Sequence, residues 1–255
     1  MELFLFFIGL AVGSFVNVLA DRLSHGISIM GRSRCDHCKK KLAWYDLVPV
    51  VSYILLRGRC RYCKGEISLA YPLVEIVTAL LFLLVLKINK QSNVIGIDAI
   101  QLGYQLTITV SLIVIFVSDI KYRIIPDEAN IAIGLSAIIF LLLYMPGTLG
   151  IHFTTAFVMG GLFLLLVIIT SGKGMGLGDV KYVFAAGLLL GFAKTVIALY
   201  LAFLTGAVFS LILILIGSKT MKSTIAFGPF LTGATLAAFL FGEQLWRVFA
   251  KILGI

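Results

Sequence analysis

The chain has 255 residues, of which 60% are hydrophobic and only 13% are charged, and its mean hydropathy is +1.09. This composition excludes an ordinary soluble domain and is typical of a protein that crosses a membrane several times. The net charge is +9. Many of the basic residues lie in one loop at 21–69, but this loop has no recognition helix and no interleaved aromatic platform, so no nucleic-acid partner is predicted.

Apolar segments recur along the chain at the length that a spanning helix requires, which is about 20 residues. No alternating pattern competes with them, and backbone in lipid must satisfy itself as helices or as a closed barrel. We therefore predict an all-α polytopic membrane protein with about eight transmembrane helices, of which the sixth is short. The predicted spans lie near residues 1–20, 70–88, 97–118, 128–145, 151–170, 179–193, 195–217 and 228–250.

The first apolar segment is interpreted as a span and not as a signal peptide. Glu2 is acidic, no basic residue precedes the apolar run, and Asp21-Arg22 closes it without a small-residue cleavage pattern. Three regions follow from this: a first transmembrane helix at 1–20, a loop domain at 21–69 and a transmembrane bundle at 70–255.

The distribution of basic residues predicts the orientation of the chain. If both termini face outside, 16 of the 21 lysines and arginines lie on the cytoplasmic side, as the positive-inside rule requires. The other five are Lys87, Lys90, Lys194, Arg247 and Lys251. The cytoplasmic set is Arg22, Arg32, Arg34, Lys39, Lys40, Lys41, Arg57, Arg59, Arg61, Lys64, Lys121, Arg123, Lys173, Lys181, Lys219 and Lys222.

All four cysteines lie in the first loop, as two Cys-x-x-Cys pairs: Cys35 with Cys38, and Cys60 with Cys63. This is the spacing of a zinc ribbon, in which four thiolates complete a closed tetrahedral shell. Two disulfides are the alternative, but they belong to oxidising compartments, and the charge distribution puts this loop in the cytoplasm. We predict a structural zinc that stabilises a loop with too few apolar residues to fold alone. His37 is expected to be solvated.

Two aspartates lie at predicted membrane boundaries, where a carboxylate is costly and therefore a candidate functional group. Asp119 closes the apolar run 102–118, and Asp179 follows the glycines at 172, 174, 176 and 178. Two neighbouring carboxylates can share one proton, so that one activates a water and the other protonates a leaving amine. The glycines allow the backbone to run close to Asp179 or to an extended substrate. Gly176, Gly178 and Lys181 are assigned to this loop.

Other interpretations of these residues are weaker. One alternative is that Asp179 caps a helix and has no chemical role. A nucleotide-binding loop is disfavoured because no strand precedes the glycines and no Gly-Lys-Ser/Thr follows them. Lys181 can tune Asp179 or act as a positive-inside anchor, and Asp127 is predicted in the first turn of a helix. The chain has no nucleophile-elbow serine and no His-Glu-x-x-His run, which disfavours serine and zinc hydrolases.

A proton- or ion-coupled transporter using Asp119 and Asp179 is the main functional alternative. It predicts ionisable residues at mid-helix or an internal repeat, and neither is evident. A non-enzymatic assembly factor built on a zinc loop would leave both aspartates unexplained.

Several motifs occur in a fixed order along the chain: 13–18 with Arg22-Leu23, the four-cysteine loop, 71–75, Asp119 with 125–127, 176–181 and 227–230. Over nearly the whole chain they resemble those of the bacterial type IV prepilin peptidases, membrane aspartic proteases of the Gly-x-Gly-Asp class. Presenilin-type proteases share the Gly-Leu-Gly-Asp string but have a Pro-Ala-Leu motif that is absent here, and archaeal preflagellin peptidases lack the cysteine domain.

The resemblance implies cleavage of basic leader peptides from type IV prepilins and pseudopilin precursors at the cytoplasmic face of the bacterial inner membrane, with Asp119 and Asp179 as the catalytic pair. The peptidase reaction would need no cofactor. Many members of the family also methylate the new N-terminus with S-adenosylmethionine. Candidate residues for methyl transfer or substrate binding are Gly13, Asn17, Arg22 and Glu75, for which helix packing and polar contacts inside the bundle are the alternative roles.

Overall fold

A computed structural model describes residues 1–91, 99–172, 174–217 and 226–253 of the chain. Lys173, Lys219 and Lys222, which count toward the predicted cytoplasmic charge, lie outside these ranges. Within them the protein is helical, with no β-strand and only two isolated bridges. The α-helices are α1 (Glu2–Leu23), α2 (Val51–Leu55), α3 (Ala70–Gln91), α4 (Ala99–Tyr122), α5 (Asp127–Tyr144), α6 (Leu149–Ile169), α7 (Leu177–Leu215) and α8 (Gly228–Leu253).

The chain divides into two compact units, Met1–Val114 and Ile115–Ile255. In the first unit α1 packs against α3 along two glycines spaced four residues apart. A Cβ on Gly9 would lie 2.6 Å from Cα of Ala79, and a Cβ on Gly13 would lie 2.6 Å from Cα of Glu75. Small residues at this spacing allow two helices in a membrane to approach closely. The cysteine loop, with a 3-10 helix at Trp44–Leu47 and the short α2, connects α1 to α3.

The second unit is organised around α7, which packs against α5, α6 and α8. Glycine again sets the closest approach, because a Cβ on Gly187 would lie 2.7 Å from Cα of Ala156 in α6. Burial of apolar residues from α5 to α8 forms the core of this unit, with Tyr182, Phe163, Ile133 and Leu231 among the fully buried side chains. The arrangement confirms the predicted all-α bundle.

The predicted sixth and seventh spans both lie in one helical element, α7, of 39 residues. The chain breaks inside it at Gly191, where φ is 68° and ψ is 179°, and not at the predicted junction near residue 194. That backbone conformation is essentially restricted to glycine. The imidazole of His152 donates from Nδ1 to the carbonyl oxygen of Leu188, 2.7 Å away, and so satisfies an acceptor near the break.

Six helices of the described residues are long and apolar enough to cross a membrane: α1, α3, α4, α5, α6 with the residues before it, and α7. α8 corresponds to the eighth predicted span. The fold class is therefore as predicted, while the count of eight crossings stays a prediction that depends on how α7 passes through the bilayer.

Candidate active site and metal centre

Asp119 lies in the last turn of α4 and is buried, with 6% of its surface exposed. Its Oδ2 accepts a hydrogen bond of 2.9 Å from the backbone N–H of Gly228, the first residue of α8. The N–H groups of a first helical turn have no partner within the helix, and they favour a negative charge. The sequence Gly228-Pro229 suits this position because proline is tolerated at the start of a helix. Asp119 thus caps α8 from a different helix.

Asp179 is the third residue of α7 and is half-buried. Its Oδ2 accepts a hydrogen bond of 3.0 Å from the backbone N–H of Gly176, which precedes the helix. The side chain therefore does form the helix cap that was one interpretation of the motif. The same bond fixes the position of the carboxylate, so capping and a chemical role are compatible.

The segments that follow Asp119 and precede Asp179 pack against each other. A Cβ on Gly178 would lie 3.4 Å from Cβ of Ile125, so the glycine turn rests on the loop between α4 and α5. Lys181 donates to both carboxylate oxygens of Asp127, at 2.9 and 2.7 Å. Asp127 is the first residue of α5, in the first helical turn as predicted. The side chains of Lys181 and Asp127 are both exposed.

Both aspartates lie in the second unit. The charges of Asp179 and of Arg123, which follows Asp119 by one helical turn, act on the Asp119 carboxylate. Each carboxylate uses its Oδ2 for a backbone N–H bond, and these bonds leave Oδ1 of both side chains to other partners. Two carboxylates that approach closely can share a proton and polarise a water between them.

Three of the four candidate methyl-transfer residues meet where α1 packs on α3. The amide of Asn17 donates to the carbonyl oxygens of Gly13 (3.3 Å) and Tyr71 (3.2 Å), and Oδ1 of this buried side chain has no partner among the described residues. Glu75 is buried, and its Oε2 accepts a 2.7 Å bond from the N–H of Val50. Arg22 lies elsewhere, since its guanidinium binds backbone carbonyls at 28–32 of the cysteine loop.

The four cysteines form one cluster in which all Sγ atoms lie within 4.8 Å of one another. The two Cys-x-x-Cys pairs have the same turn geometry. In each, the N–H of the first cysteine (Cys35 or Cys60) donates to the carbonyl oxygen five residues later, and the N–H of the lysine four residues later donates to the carbonyl oxygen of that cysteine. Lys39 and Lys64 occupy equivalent positions with positive φ. The two turns thus present their thiols to a common centre.

This cluster fits a metal with a closed shell of four ligands. Thiolates around a tetrahedral zinc at about 2.3 Å lie about 3.8 Å apart, and Sγ of Cys35 and Cys63 are 3.8 Å apart. All four cysteines are free thiols. The backbone N–H of Cys63 lowers the pKa of the Cys60 thiol to about 7, although burial opposes the shift. The N–H of Gly65 lowers the pKa of the Cys63 thiol less than burial and the three other cysteines raise it, to about 11. Cys60 is therefore the thiol of this pair that more readily gives the thiolate that binds metal. His37 is exposed and packs on Gly65.

Comparison with known proteins places both regions in one family. The model of the bacterial peptidase A24 N-terminal domain matches residues 7–88, and that of the type IV leader peptidase family matches residues 106–211. A prepilin leader peptidase/N-methyltransferase of Aeromonas hydrophila is 30% identical, and the alignment covers 95% of this chain and 91% of that protein. The chain belongs to the type IV leader peptidase family.

Further relatives support membership of the type IV leader peptidase family along nearly the whole chain. The prepilin leader peptidase/N-methyltransferase of Bacillus subtilis is 28% identical over 97% of both chains, and that of Pseudomonas aeruginosa is 27% identical over 97% of this chain and 92% of its own. No solved structure matches the chain at a significant level. These relatives do not favour the transporter alternative.

Several features of this leader peptidase family site are not evident from sequence patterns. The Gly228 donor, the contact of Gly178 with Ile125 and the pairing of Lys181 with Asp127 each join distant segments. Gly228 also lies outside both matched ranges. The Gly-Pro pair at the start of an apolar run signals a helix N-terminus, but it does not identify the acceptor that the N-terminus meets.

Proposed function

We propose that this protein is a membrane aspartic endopeptidase that removes the leader peptide from type IV prepilins and pseudopilin precursors and then methylates the new N-terminus. The observation that carries the peptidase assignment is that a backbone N–H fixes the carboxylate of each of Asp119 and Asp179. The segments next to the two aspartates also pack together, Gly178 on Ile125. The names of the relatives support the same activity.

The proposed reaction uses the two carboxylates as acid and base. The ionised aspartate takes a proton from a water, the water oxygen attacks the scissile carbonyl carbon, and the protonated aspartate donates to the carbonyl oxygen as the tetrahedral intermediate forms. Its collapse breaks the C–N bond: the aspartate that is now ionised takes a proton from a hydroxyl of the intermediate as the carboxylic acid forms, and the other aspartate donates its proton to the leaving amine. Burial of Asp119 strengthens these electrostatic interactions because the local dielectric is low. Burial also favours a single shared proton.

The substrate class follows from where the site lies. Asp119 is at the end of one apolar helix and Asp179 at the start of another, so a cleaved bond would lie next to a membrane boundary. A prepilin has a hydrophobic helix that can stay in the bilayer while its leader stays in water. We place this boundary at the cytoplasmic face of the bacterial inner membrane, with residues 70–255 as the peptidase bundle and 21–69 as the loop domain.

Zinc is the proposed metal of the loop, with a structural role, because a shell of four cysteines leaves no position for a water. It would hold the two cysteine turns together through Cys35, Cys38, Cys60 and Cys63. Metal analysis of the purified protein should find one zinc per chain, and the Cys35→Ser, Cys60→Ser variant should have none. A disulfide-bonded loop without metal would overturn the assignment.

Methyl transfer is proposed for the α1–α3 contact of the first unit. S-adenosylmethionine supplies an electrophilic methyl group and carries cationic centres, which suit the buried carboxylate of Glu75 and the unpaired Oδ1 of Asn17. In this assignment Glu75 and Asn17 bind and orient the ligand, while Gly13 keeps the helices close.

The decisive experiment measures both activities on the same purified variants. Asp119→Asn and Asp179→Asn should each abolish leader cleavage without loss of folding, whereas Glu128→Gln, an exposed acid one residue after Asp127, should cleave normally. Glu75→Gln should lose transfer of labelled methyl groups to a mature pilin while it still cleaves the leader. Undiminished cleavage by either Asn variant would refute the aspartic mechanism.

A further inference from the structure

The cysteine loop has an exposed surface that combines three cations with apolar side chains. A cavity of about 480 Å³ is lined by Leu55, Leu56, Arg57, Arg59 and Lys64. No acidic side chain lines this cavity, and within residues 1–91 none of the three cations forms an ion pair with a described residue. A group of unpaired cations around a concave surface attracts anions.

Apolar side chains continue this surface along α2. Val51, Ile54 and Leu55 are 51%, 66% and 75% exposed, which is unusual for aliphatic residues in a small loop domain that is short of core. Exposed apolar residues next to cations are typical of segments that lie in the membrane interface. A soluble anion would contact the cations but leave these side chains in water.

The position of α2 is fixed relative to a spanning helix of the same unit. Val50, the residue before α2, has φ 61° and ψ −48°, which is strained for a β-branched residue. Its N–H donates to Oε2 of Glu75 in α3 at 2.7 Å. The loop also connects the last residue of α1 to the first residue of α3. Helix α2 is therefore held close to the membrane boundary at which α1 ends and α3 begins.

We propose that the α2 surface, defined as Val51, Ile54, Leu55, Arg57, Arg59 and Lys64, docks onto the anionic phospholipids of the adjoining leaflet. The aliphatic side chains enter the boundary between headgroups and acyl chains, and the three cations bind lipid phosphates. A basic leader peptide is a poor occupant for this surface because like charges repel. The basic loop then faces lipid and leaves the leader to other surfaces.

The test places a single tryptophan on this surface in the full-length protein. The chain has two tryptophans, so Trp44→Phe and Trp246→Phe combined with Leu55→Trp leave one reporter at the exposed position 55. The protein is reconstituted in nanodiscs of phosphatidylcholine alone or enriched in phosphatidylglycerol, each with brominated acyl chains as quencher. We expect a blue-shifted and more strongly quenched emission in the anionic discs, and a loss of this difference at high salt.

The charge dependence is tested with matched variants. Arg57→Gln, Arg59→Gln and Lys64→Gln together should weaken association with the anionic surface about a hundredfold, so quenching should fall to its level in neutral discs. The control is Arg32→Gln, Arg34→Gln and Lys39→Gln, which removes three cations at the equivalent positions of the first cysteine turn. This control should keep the quenching.

Three results would overturn the proposal. They are equal quenching in both kinds of disc, an equal loss in the control triple variant, and quenching that develops only after a pilin precursor is added. The last result would identify the substrate as the occupant. The salt titration needs no charge substitution in the loop, so it decides the question even if the triple variant folds poorly.

Discussion

The bond between Gly228 and Asp119 joins residues 109 positions apart and fixes a carboxylate that the proposed reaction needs in one orientation. A Cβ at residue 228 would lie 2.5 Å from Oδ2 and 2.7 Å from Cγ of Asp119. Since real side chains do not approach so closely, even a methyl group must displace either the carboxylate or the start of α8. Glycine is thus required at residue 228 by space and not by backbone conformation.

Gly228→Ala should therefore reduce kcat for leader cleavage about a hundredfold, since a displacement of about 1 Å has that effect on a positioned group. KM should change little because the substrate's helix still binds. Steady-state kinetics on a prepilin would measure both constants. Gly233→Ala, on the same helix with open space around it, is the control and should behave as wild type; an unchanged kcat in Gly228→Ala would show that this bond does not position Asp119.

The pair of Lys181 with Asp127 should matter less, because both side chains are more than half exposed. An exposed ion pair contributes about 0–1 kcal/mol, so Lys181→Met or Asp127→Asn should slow cleavage by no more than about fivefold. If the pair positions the Asp179 turn, the double variant should be no slower than either single variant in a double-mutant cycle. Independent, multiplicative losses would instead assign Lys181 a direct role beside Asp179.

At the scale of elements, Asp46 connects the 3-10 helix Trp44–Leu47 to the second cysteine turn. Its carboxylate accepts from Nε of Arg61 at 2.6 Å, from the hydroxyl of Tyr62 at 3.2 Å and from the N–H of Ala43 at 3.2 Å. Burial raises the pKa of Asp46, but the bonds from Arg61, Ala43 and Tyr62 outweigh it and hold the pKa below its ordinary value of 3.8. The ionised form therefore stabilises the folded loop.

The pH dependence of this contribution has a defined sign. A carboxylate whose pKa is lower in the folded state stabilises that state fully above its unfolded pKa and loses the effect as pH falls through the folded pKa. Asp46→Asn should thus release zinc to a chelator several-fold faster than wild type at pH 7. The difference should persist down to about pH 5 and shrink below about pH 4. A difference that grows on acidification would contradict this role for Asp46.

Apolar patterning along the chain predicts most of the helices. Helix α1 and the helices from α3 to α6 lie close to their predicted ranges, and the cysteine spacing predicted the cluster, because length, hydropathy and ligand spacing are local properties. The break at Gly191 and the acceptor of the Gly228 N–H were not predicted, since the first depends on packing against His152 and the second on a helix far away in sequence. Local patterns made Asp119 and Asp179 candidates, and they did not predict the backbone N–H of Gly228 that holds Asp119.

At the scale of the whole molecule, the two compact units parallel the two family matches. The first unit contains the metal cluster and the α1–α3 contact, and the second contains both aspartates, the last turns of α4, and α7 and α8. The residues proposed for methyl transfer therefore lie in one unit and the two aspartates in the other, and variants of the two sets alter different units.

The number of crossings depends on α7, and it determines the side of the C-terminus. A straight helix of 39 residues would be about 58 Å long, roughly twice the hydrocarbon thickness of about 30 Å. The break at Gly191 divides α7 into Leu177–Leu190, about 21 Å long, and a longer second part. The orientation of the second part of α7 and of α8 in the membrane therefore depends on whether the short first part crosses the bilayer.

We predict that it does, which gives eight crossings and places the C-terminus on the same side as the N-terminus, outside. Alkaline phosphatase fused after residue 255 should be active, and green fluorescent protein at the same position should be dark. Fusions after Arg123 should give the opposite pair of results, because the basic loop there is predicted inside, and fusions after Gly147 should behave like those at the C-terminus. A fluorescent C-terminal fusion would contradict the count of eight, in which α7 crosses twice and the bond between the Gly228 N–H and Asp119 keeps the start of α8 on the side where α4 ends.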